Sequence, residues 1–270
     1  KASPFSWALI FIFPLAVEAQ TSTVTYCYDD GQRPADVPAD ITHAESHVRI
    51  FPEDQRLAGW SILTVVPLRA DLDSLSFKTY DMVVRSVVVD EATAPFHTDG
   101  RVTVVTPGKK PAFHQPCKIR FEFESPSSQF TYVGWHEHER SDRRQLWTTR
   151  PFGWIPVIHE RDLITADLFI TCDQTFQVFA NGVRVSVENH ADQTAMWHYR
   201  MDRGYPMYLT TVVVGTYQFK TVTSQNGTPV ELWMYPDQAS LHEPTYRHMR
   251  QIFDFLEAEL GVPYPYQIYR

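Results

Sequence analysis

Residues 166–187 read ADLFITCDQTFQVFANGVRVSV. β-Branched and aromatic residues gather here in short runs: Leu168–Ile170, Phe176–Phe179 and Val183–Val187. Runs of about 4–8 such residues suit strands rather than helices. Asn181-Gly182 separates FQVFA from VRVSV. The central residues of a tight hairpin turn need positive φ, which Asn and Gly adopt at low cost, so this pair predicts a hairpin.

The same texture extends outward from His43 to about Phe219. Val48, Ile50, Ile62, Leu63, Val65 and Val66 sit in β-rich runs, followed by Met82–Val84, Val87–Val89, Val102–Val105, Ile119–Phe123 and Leu209–Val214. Asp99-Gly100 and Asn226-Gly227 repeat the turn signal. Many short strands with frequent turns predict a mainly β fold, a large saddle-like sheet or β-sandwich over residues 43–222. Near Ser240 the period changes. Tyr246, Met249, Ile252, Phe253, Leu256 and Leu260 fall at spacings of three and four, the mark of an amphipathic helix. Pro244 suits a first helical position with Ser240 or Glu243 as cap, and Gly261 and Pro263 suit the end, so a helix is predicted over 244–260. Residues 223–270 therefore read as the start of a second, α-rich domain.

Composition narrows the function classes. The chain is 43% hydrophobic and 14% aromatic, enough apolar material for a sizeable core. Its formal charge of −8 offers no basic footprint for a phosphate backbone, which argues against a nucleic-acid partner. Only 11 glycines are present, and they form no phosphate-cradling cluster.

Residues 1–19 combine a positive start at Lys1, the apolar run FSWALIFIFP over 5–14, and Val17-Glu18-Ala19 before Gln20. That order predicts a cleaved signal peptide and a secreted or periplasmic protein with no membrane span after cleavage. The apolar run is short for a bilayer span; a buried strand or an anchor helix is the plainer alternative. Residues 20–42 (TSTVTYCYDDGQRPADVPADIT over 21–42) read as a linker or irregular lead-in. The three cysteines, Cys27, Cys117 and Cys172, make no disulfide framework. Cys117 and Cys172 either pair or serve as small core residues.

Several polar groupings invite a chemical reading. His43-Ala-Glu45-Ser-His47 has two His four apart, but the zincin motif places its Glu directly after the first His and sits on a helix, whereas this segment leads into the strand-like VRIF. His136-Glu137-His138-Glu139-Arg140 is followed by Ser-Asp-Arg-Arg and reads as a charged loop tip. His159-Glu160-Arg161-Asp162 offers a base and two acids with no nucleophile signature nearby. Asn226-Gly227-Thr228 is a glycosylation sequon within a turn signal. No complete catalytic or metal-binding set is present.

The second half of the chain resembles the aminopeptidase N-like zinc metallopeptidases (gluzincin aminopeptidases). Their N-terminal domain carries Trp-Phe-Pro-Cys, Asp-Lys-Ala-Thr, a strand and Ser-Asn-Gly. The matching pieces here are Gly153-Trp154-Ile155-Pro156-Val157, Asp162-Leu163-Ile164-Thr165, the quoted strand and Ala180-Asn181-Gly182. The family's Trp-x-aromatic strand, Pro-Met turn and Val-Gly match Trp197-His-Tyr199, Tyr205-Pro206-Met207-Tyr208-Leu209 and Val214-Gly215. Its catalytic domain opens with a strand, an amphipathic helix and Gly-x-Pro-Tyr-Pro; here these are ELWMYP, the helix and Gly261-Val-Pro263-Tyr264-Pro265. Val157 replaces the family's Cys and Leu163 its Lys. No Gln lies within 147–149, where an amine-binding Gln would fall; Gln145 stands just before.

The resemblance implies the N-terminal portion of a secreted zinc aminopeptidase acting on peptides. Its Gly-x-Met-Glu-Asn segment, its His-Glu-x-x-His zinc site and its catalytic Glu and Tyr would lie beyond Arg270. The fragment itself would be inactive and without zinc, contributing a wall of the substrate cleft through Trp147, Thr148, Thr149 and Arg150. A non-catalytic scaffold or binding protein on the same fold is the alternative. The oligomeric state is left open.

Overall fold

Alternation of buried and exposed residues builds the structure, a computed structural model that describes residues 37–127, 145–148 and 153–270. The strands are β1 (Ala39–Phe51), β2 (Arg56–Pro67), β3 (Leu75–Lys78), β4 (Val83–Val89), β5 (Ala92–Thr93), β6 (Phe96–Thr98), β7 (Val102–Val105) and β8 (Cys117–Pro126). They continue as β9 (Gln145–Trp147), β10 (Leu163–Asp173), β11 (Gln177–Ala180), β12 (Val183–Asn189), β13 (Thr194–Pro206), β14 (Val212–Gly215), β15 (Gln218–Thr223) and β16 (Pro229–Met234). The first strand thus starts ahead of His43, inside the stretch expected to be irregular. The expected signal peptide, the lead-in up to residue 36 and the charged run His136–Arg140 lie outside the described residues.

An eight-stranded sheet, ordered β12-β13-β10-β1-β2-β8-β4-β5, forms the body. β1 and β10 run parallel, which makes it a mixed sheet. Two three-stranded sheets, β11-β14-β9 and β3-β7-β6, share one core with its inner face. In β8 every second residue from Cys117 to Ser125 is buried, so Ile119, Phe121 and Phe123 point inward while Lys118, Arg120 and Glu122 face solvent. Phe77 of β3 meets Phe121 edge-on at 4.9 Å and links the layers.

The inner face also buries three serines, and Gly153-Trp154 explains them. Ser125 donates to the carbonyl of Gly153, Ser61 donates to that of Trp154 at 3.0 Å, and Ser46 and Ser61 share a hydrogen bond at 2.8 Å. Trp154 is wholly buried, as are Ile155 and Val157. Val157 exchanges two backbone hydrogen bonds with Lys78 (2.7 and 3.0 Å). The Gly-Trp-Ile-Pro-Val segment therefore plugs the core, with the Gly153 and Trp154 carbonyls satisfied by serines of the sheet it covers and Val157 by the β3 backbone.

Asn181-Gly182 corrects the hairpin expectation. β11 pairs with β14 and β12 pairs with β13, so the chain leaves the small sheet at Ala180 and enters the large one at Val183. The pair is a corner between sheets. Asn181 fixes it from one side, accepting from Thr211 N at 2.8 Å and donating to Leu209 O at 3.1 Å. Gly182 has φ +86°, and a Cβ there would stand 2.0 Å from the Arg200 carbonyl oxygen. Gly182→Ala should cost about 1–3 kcal/mol of stability, read as a lower urea midpoint. By contrast, Asp99-Gly100 closes the β6–β7 hairpin and Asn226-Gly227 the β15–β16 hairpin, as expected.

Cys117 on β8 and Cys172 on β10 are both buried, reduced thiols. β1 and β2 lie between their strands, so at about 4.8 Å per strand they are at least ~14 Å apart, too far to bridge. Burial pushes the thiols up to about 11 and about 12, which leaves both as inert core residues.

The helical segment is divided. A 3-10 stretch, Pro236–Leu241, leads into α1 (His242–Tyr246), and α2 spans Met249–Leu260. Pro244 lies inside α1 rather than opening the long helix, and no side chain of Ser240 or Glu243 caps it; His248 stands at the N-cap of α2. Gly261, at φ +67°, ends α2 as expected. The tail then returns beside β16: Glu231 N donates to Tyr269 O and Tyr269 N to Pro229 O, both at 2.9 Å. Val230, Leu232 and Phe253 form a second small core there.

Candidate functional site

Trp147 and Thr148 lie at the end of β9, which enters the small sheet beside β14. Thr148 is buried, and its groups are engaged: its amide donates to Val212 O, its hydroxyl accepts from Val212 N, both at 2.9 Å, and its carbonyl accepts from the Thr211 hydroxyl. Trp147 pairs with Val213 and is half-buried. Thr149 and Arg150 lie outside the described residues.

The same sheet end brings together residues that the sequence left in separate motifs: Gln145, Phe179 and the Trp233 and Tyr235 of ELWMYP. Tyr217 donates to Gln145 Oε1 at 2.9 Å and stacks on Tyr235 with ring centres 5.0 Å apart. Trp233 contacts Phe179 at 4.8 Å and stacks on Phe219 at 4.5 Å. Burial pushes the Tyr217 hydroxyl well above the ordinary phenol range. These aromatics join β9, β11 and the β15–β16 hairpin. Their positions in sequence carried only a packing signal, because Phe179 on β11 and the ends of the β15–β16 hairpin lie far apart along the chain.

Nearby, the last residue is anchored rather than loose. Arg270 donates to Glu231 Oε2 at 2.7 Å and to the carbonyls of Ala180 (3.2 Å) and Gly182 (2.5 Å). Its guanidinium lies over the Tyr199 ring at 5.2 Å. A surface groove of about 240 Å³ runs beside it, bounded by Asn181, Leu209, Tyr264 and Tyr266.

The outer face of the large sheet absorbs His43, Glu45 and His47. Trp60, His47, Phe169 and His198 are direct cross-strand neighbours and form one stack, with centroid spacings of 3.9, 3.9 and 4.0 Å. Arg120 caps it, 4.4 Å above Trp60. His198 Nε2 meets Asp167 at 2.5 Å, Arg200 meets the same oxygen at 2.9 Å, and His47 Nε2 meets Glu45 at 3.1 Å. Burial would raise the Asp167 carboxyl, but the bonds from His198 and Arg200 outweigh it and hold it low. Burial lowers His47, against the pull of Glu45. The ring faces stack on one another, so this is a cross-strand ladder that ties the sheet.

His159–Asp162 forms a turn held by the Pro-Met segment: Met207 N donates to Asp162 O at 2.9 Å and Tyr208 N to Glu160 O at 3.0 Å. Asp162 is buried and accepts from Ile41 N at 3.2 Å, with His159 Nδ1 3.4 Å from its other oxygen. Burial, then the Asp40 carboxylate, pushes Asp162 up to about 6 from 3.8, against the Ile41 amide and His159. A carboxyl raised in the folded state contributes stability fully below pH 3.8, and that stability is lost as pH rises through about 6. Asp162→Asn keeps the acceptor and removes the charge. The variant should match the protein near pH 4 and exceed it in Tm near pH 7, a difference measurable by calorimetry at the two pH values.

Among the described residues, no group of three or more His, Cys, Asp or Glu is arranged to hold a metal ion. His43, Glu45 and His47 share a strand face, yet His47 is sandwiched between rings and Arg200 occupies Asp167, so these residues do not fit a zinc site.

The mixed sheet and its two covering sheets have the fold of the N-terminal domain of M1 zinc metallopeptidases, and the described residues after them form the β15–β16 hairpin and a short helical start. A Deinococcus radiodurans M1 zinc metallopeptidase superposes with a TM-score of 0.70 at 15% identity, over 86% of this chain and 55% of that one. Legionella pneumophila aminopeptidase A, in complex with aspartic acid, does so at 0.74 and 14% identity, over 88% of this chain and 29% of that one. A two-domain M1 zinc metallopeptidase variant bound to L-arginine gives 0.69 at 15% identity, over 86% of this chain and 56% of that one. The chain therefore spans about half the length of the two-domain enzymes it matches. No protein-family model and no curated protein matches it by sequence.

Proposed function

We propose that this chain is the N-terminal portion of a secreted, zinc-dependent aminopeptidase that hydrolyses N-terminal peptide bonds. The observation that carries the proposal is the superposition over 86–88% of the chain. Neighbours of this fold bind amino acids or a Tyr-Ser-Ala peptide, which supports a peptide substrate for the full-length parent. The order of Trp154-Ile-Pro156, Asp162, Asn181-Gly182, Pro206-Met207 and Gly261-Val-Pro-Tyr-Pro agrees with that reading, since each sits at a plug, turn, corner or cap that the fold requires. Zinc would be held by residues outside this chain. The chain's own contribution is a cleft wall, with Trp147 to Arg150 nearest to it, and residues 1–19 direct export. No helix among the described residues is long and apolar enough to cross a membrane.

Sequencing about 100 codons downstream of Arg270 tests this. Gly-x-Met-Glu-Asn followed by His-Glu-x-x-His is the expected continuation. A continuation of the same fold without those ligands would make the protein a non-catalytic scaffold or binder. The chain of 270 residues alone is expected to bind no stoichiometric zinc and to leave an aminoacyl reporter intact; metal analysis and a fluorogenic assay check both.

A further inference from the structure

A pocket of about 470 Å³ opens at the β5 edge of the eight-stranded sheet, walled by the β4–β5 turn and the loop 106–116 that leads into β8. Its volume falls in the range of sites that hold small organic molecules. Val89, Ala92, Pro111 and Cys117 give it an apolar lining, of which Val89 and Cys117 are buried. Charges of both signs border it: Lys109 and Lys110 from the loop, Asp90 from the turn. The pocket is remote from the groups described above. β5 and β12 are the two edges of the sheet, ~34 Å apart along it at about 4.8 Å per strand, and Arg270 is anchored beside the start of β12. β9, with Trp147, belongs to a different sheet.

Both walls are fixed in place. Val89 pairs with Ala92, so Asp90 and Glu91 are the central residues of the turn, and both have positive φ, 44° and 71°. Asn and Gly adopt that conformation most cheaply; here an acidic pair does so. The turn sets Asp90 against the start of β8: its amide donates to Lys118 O at 2.9 Å, and its Oδ1 accepts from Lys118 N at 2.8 Å. Its Oδ2 is left for a ligand. The loop is tied by Thr106 N to Pro95 O and by His114 N to Pro67 O, both at 2.9 Å. Lys110 Nζ is taken up by Asp73 at 2.5 Å, whereas Lys109 has no acidic partner among the described residues. A preformed site of this kind loses little affinity to ordering.

We propose that this pocket binds a free α-amino acid with an aliphatic side chain, its ammonium on Asp90 Oδ2, its carboxylate on Lys109 and its side chain against Val89, Pro111 and Cys117. Charge complementarity selects that class. A simple cation would face two lysines, and a dianion would face Asp90. A neutral apolar molecule would cover Lys109 and Asp90 without pairing either. A zwitterion engages both through charge-assisted hydrogen bonds, the stronger kind, and its side chain fills the apolar lining. The site does not depend on the peptidase reading.

Titration of the 270-residue chain with L-leucine, followed by amide chemical shifts, tests this. Saturable shifts centred on Ala92, Gly108 and Ala112 are expected, with a Kd of about 1 mM or tighter. Isocaproate lacks the ammonium and isoamylamine lacks the carboxylate, so each should bind at least about tenfold more weakly. Asp90→Asn keeps an acceptor for Lys118 N and suits the turn, and Lys109→Met keeps the stem. Each should weaken leucine at least about tenfold while far-UV circular dichroism stays unchanged. The position of the shifts in the unsubstituted chain locates the site without any variant. No saturable shift at about tenfold above that Kd would overturn the proposal. So would isocaproate binding as tightly as leucine, which would make this a plain carboxylate site, or shifts centred on Trp147 and Thr148, which would place the amino acid at the cleft wall. A downstream sequence without zinc ligands would remove the peptidase reading and leave leucine binding here unchanged.

Discussion

Trp154→Ala should lower the unfolding free energy by about 3–5 kcal/mol, the range for removing a fully buried large aromatic side chain. Trp154 has no exposed surface and lies where Ser61 and Ser125 rise from the inner face to meet the Gly153-Trp154 backbone, with Ser46 bonded to Ser61. The loss has two parts: transfer of the indole and the cavity it leaves, which a closed sheet on one side cannot collapse to fill. Urea unfolding followed by far-UV circular dichroism should show a lower midpoint with an unchanged slope. Trp154→Phe should lose less, because the ring plane is kept and the serine bonds are to backbone. A Trp154→Ala midpoint within error of the unsubstituted protein would mean that the plug does not hold the layers together.

Glu257→Ala should act locally rather than globally. Glu257 is buried, and its carboxylate accepts from Tyr264 N at 2.7 Å, from Asn226 Nδ2 at 3.2 Å and from the Thr228 hydroxyl at 3.5 Å. One side chain thus joins α2, the β15–β16 turn and the start of the tail. Removing it leaves a main-chain donor and a hydroxyl without partners, each costing about 1–3 kcal/mol. Amide exchange should become faster over residues 225–270 by at least about tenfold while β1 and β10 keep their protection. Glu257→Gln, which keeps an acceptor, should recover part of the effect. Loss of protection spread evenly through the large sheet would show that the two cores unfold as one. Asn226 opens the sequon, and its amide is committed to Glu257, so its place in this hub accounts for the motif without a glycan.

Strands were legible wherever a run alternated against one buried face. In β8 and β10 the side chains at every second position go to the core, and the period of two is a property of the local backbone. The Asp99-Gly100 and Asn226-Gly227 turns were legible for the same reason: the residues that form them are neighbours in sequence. The division of the helix was not, because neither Pro244 nor the stripe records where His248 interrupts the run. Of the candidate site, Trp147 and Thr148 were named from position, yet what holds Thr148 is Val212, contributed by a strand far along the chain.

The amino-acid sequence by itself determined that this protein is mainly β, where most strands lie, that Asp99-Gly100 and Asn226-Gly227 reverse the chain, and that an amphipathic helix follows the strands, since all of these follow from interactions within a few residues. Tertiary structure alone decided that Asn181-Gly182 carries the chain between sheets, that Ser61 and Ser125 serve the backbone around Trp154, that His47 stacks instead of ligating, and that α2 turns its apolar stripe outward. Each of those outcomes depends on which distant segment arrives as partner, and a periodic pattern encodes the need for a partner without encoding its identity.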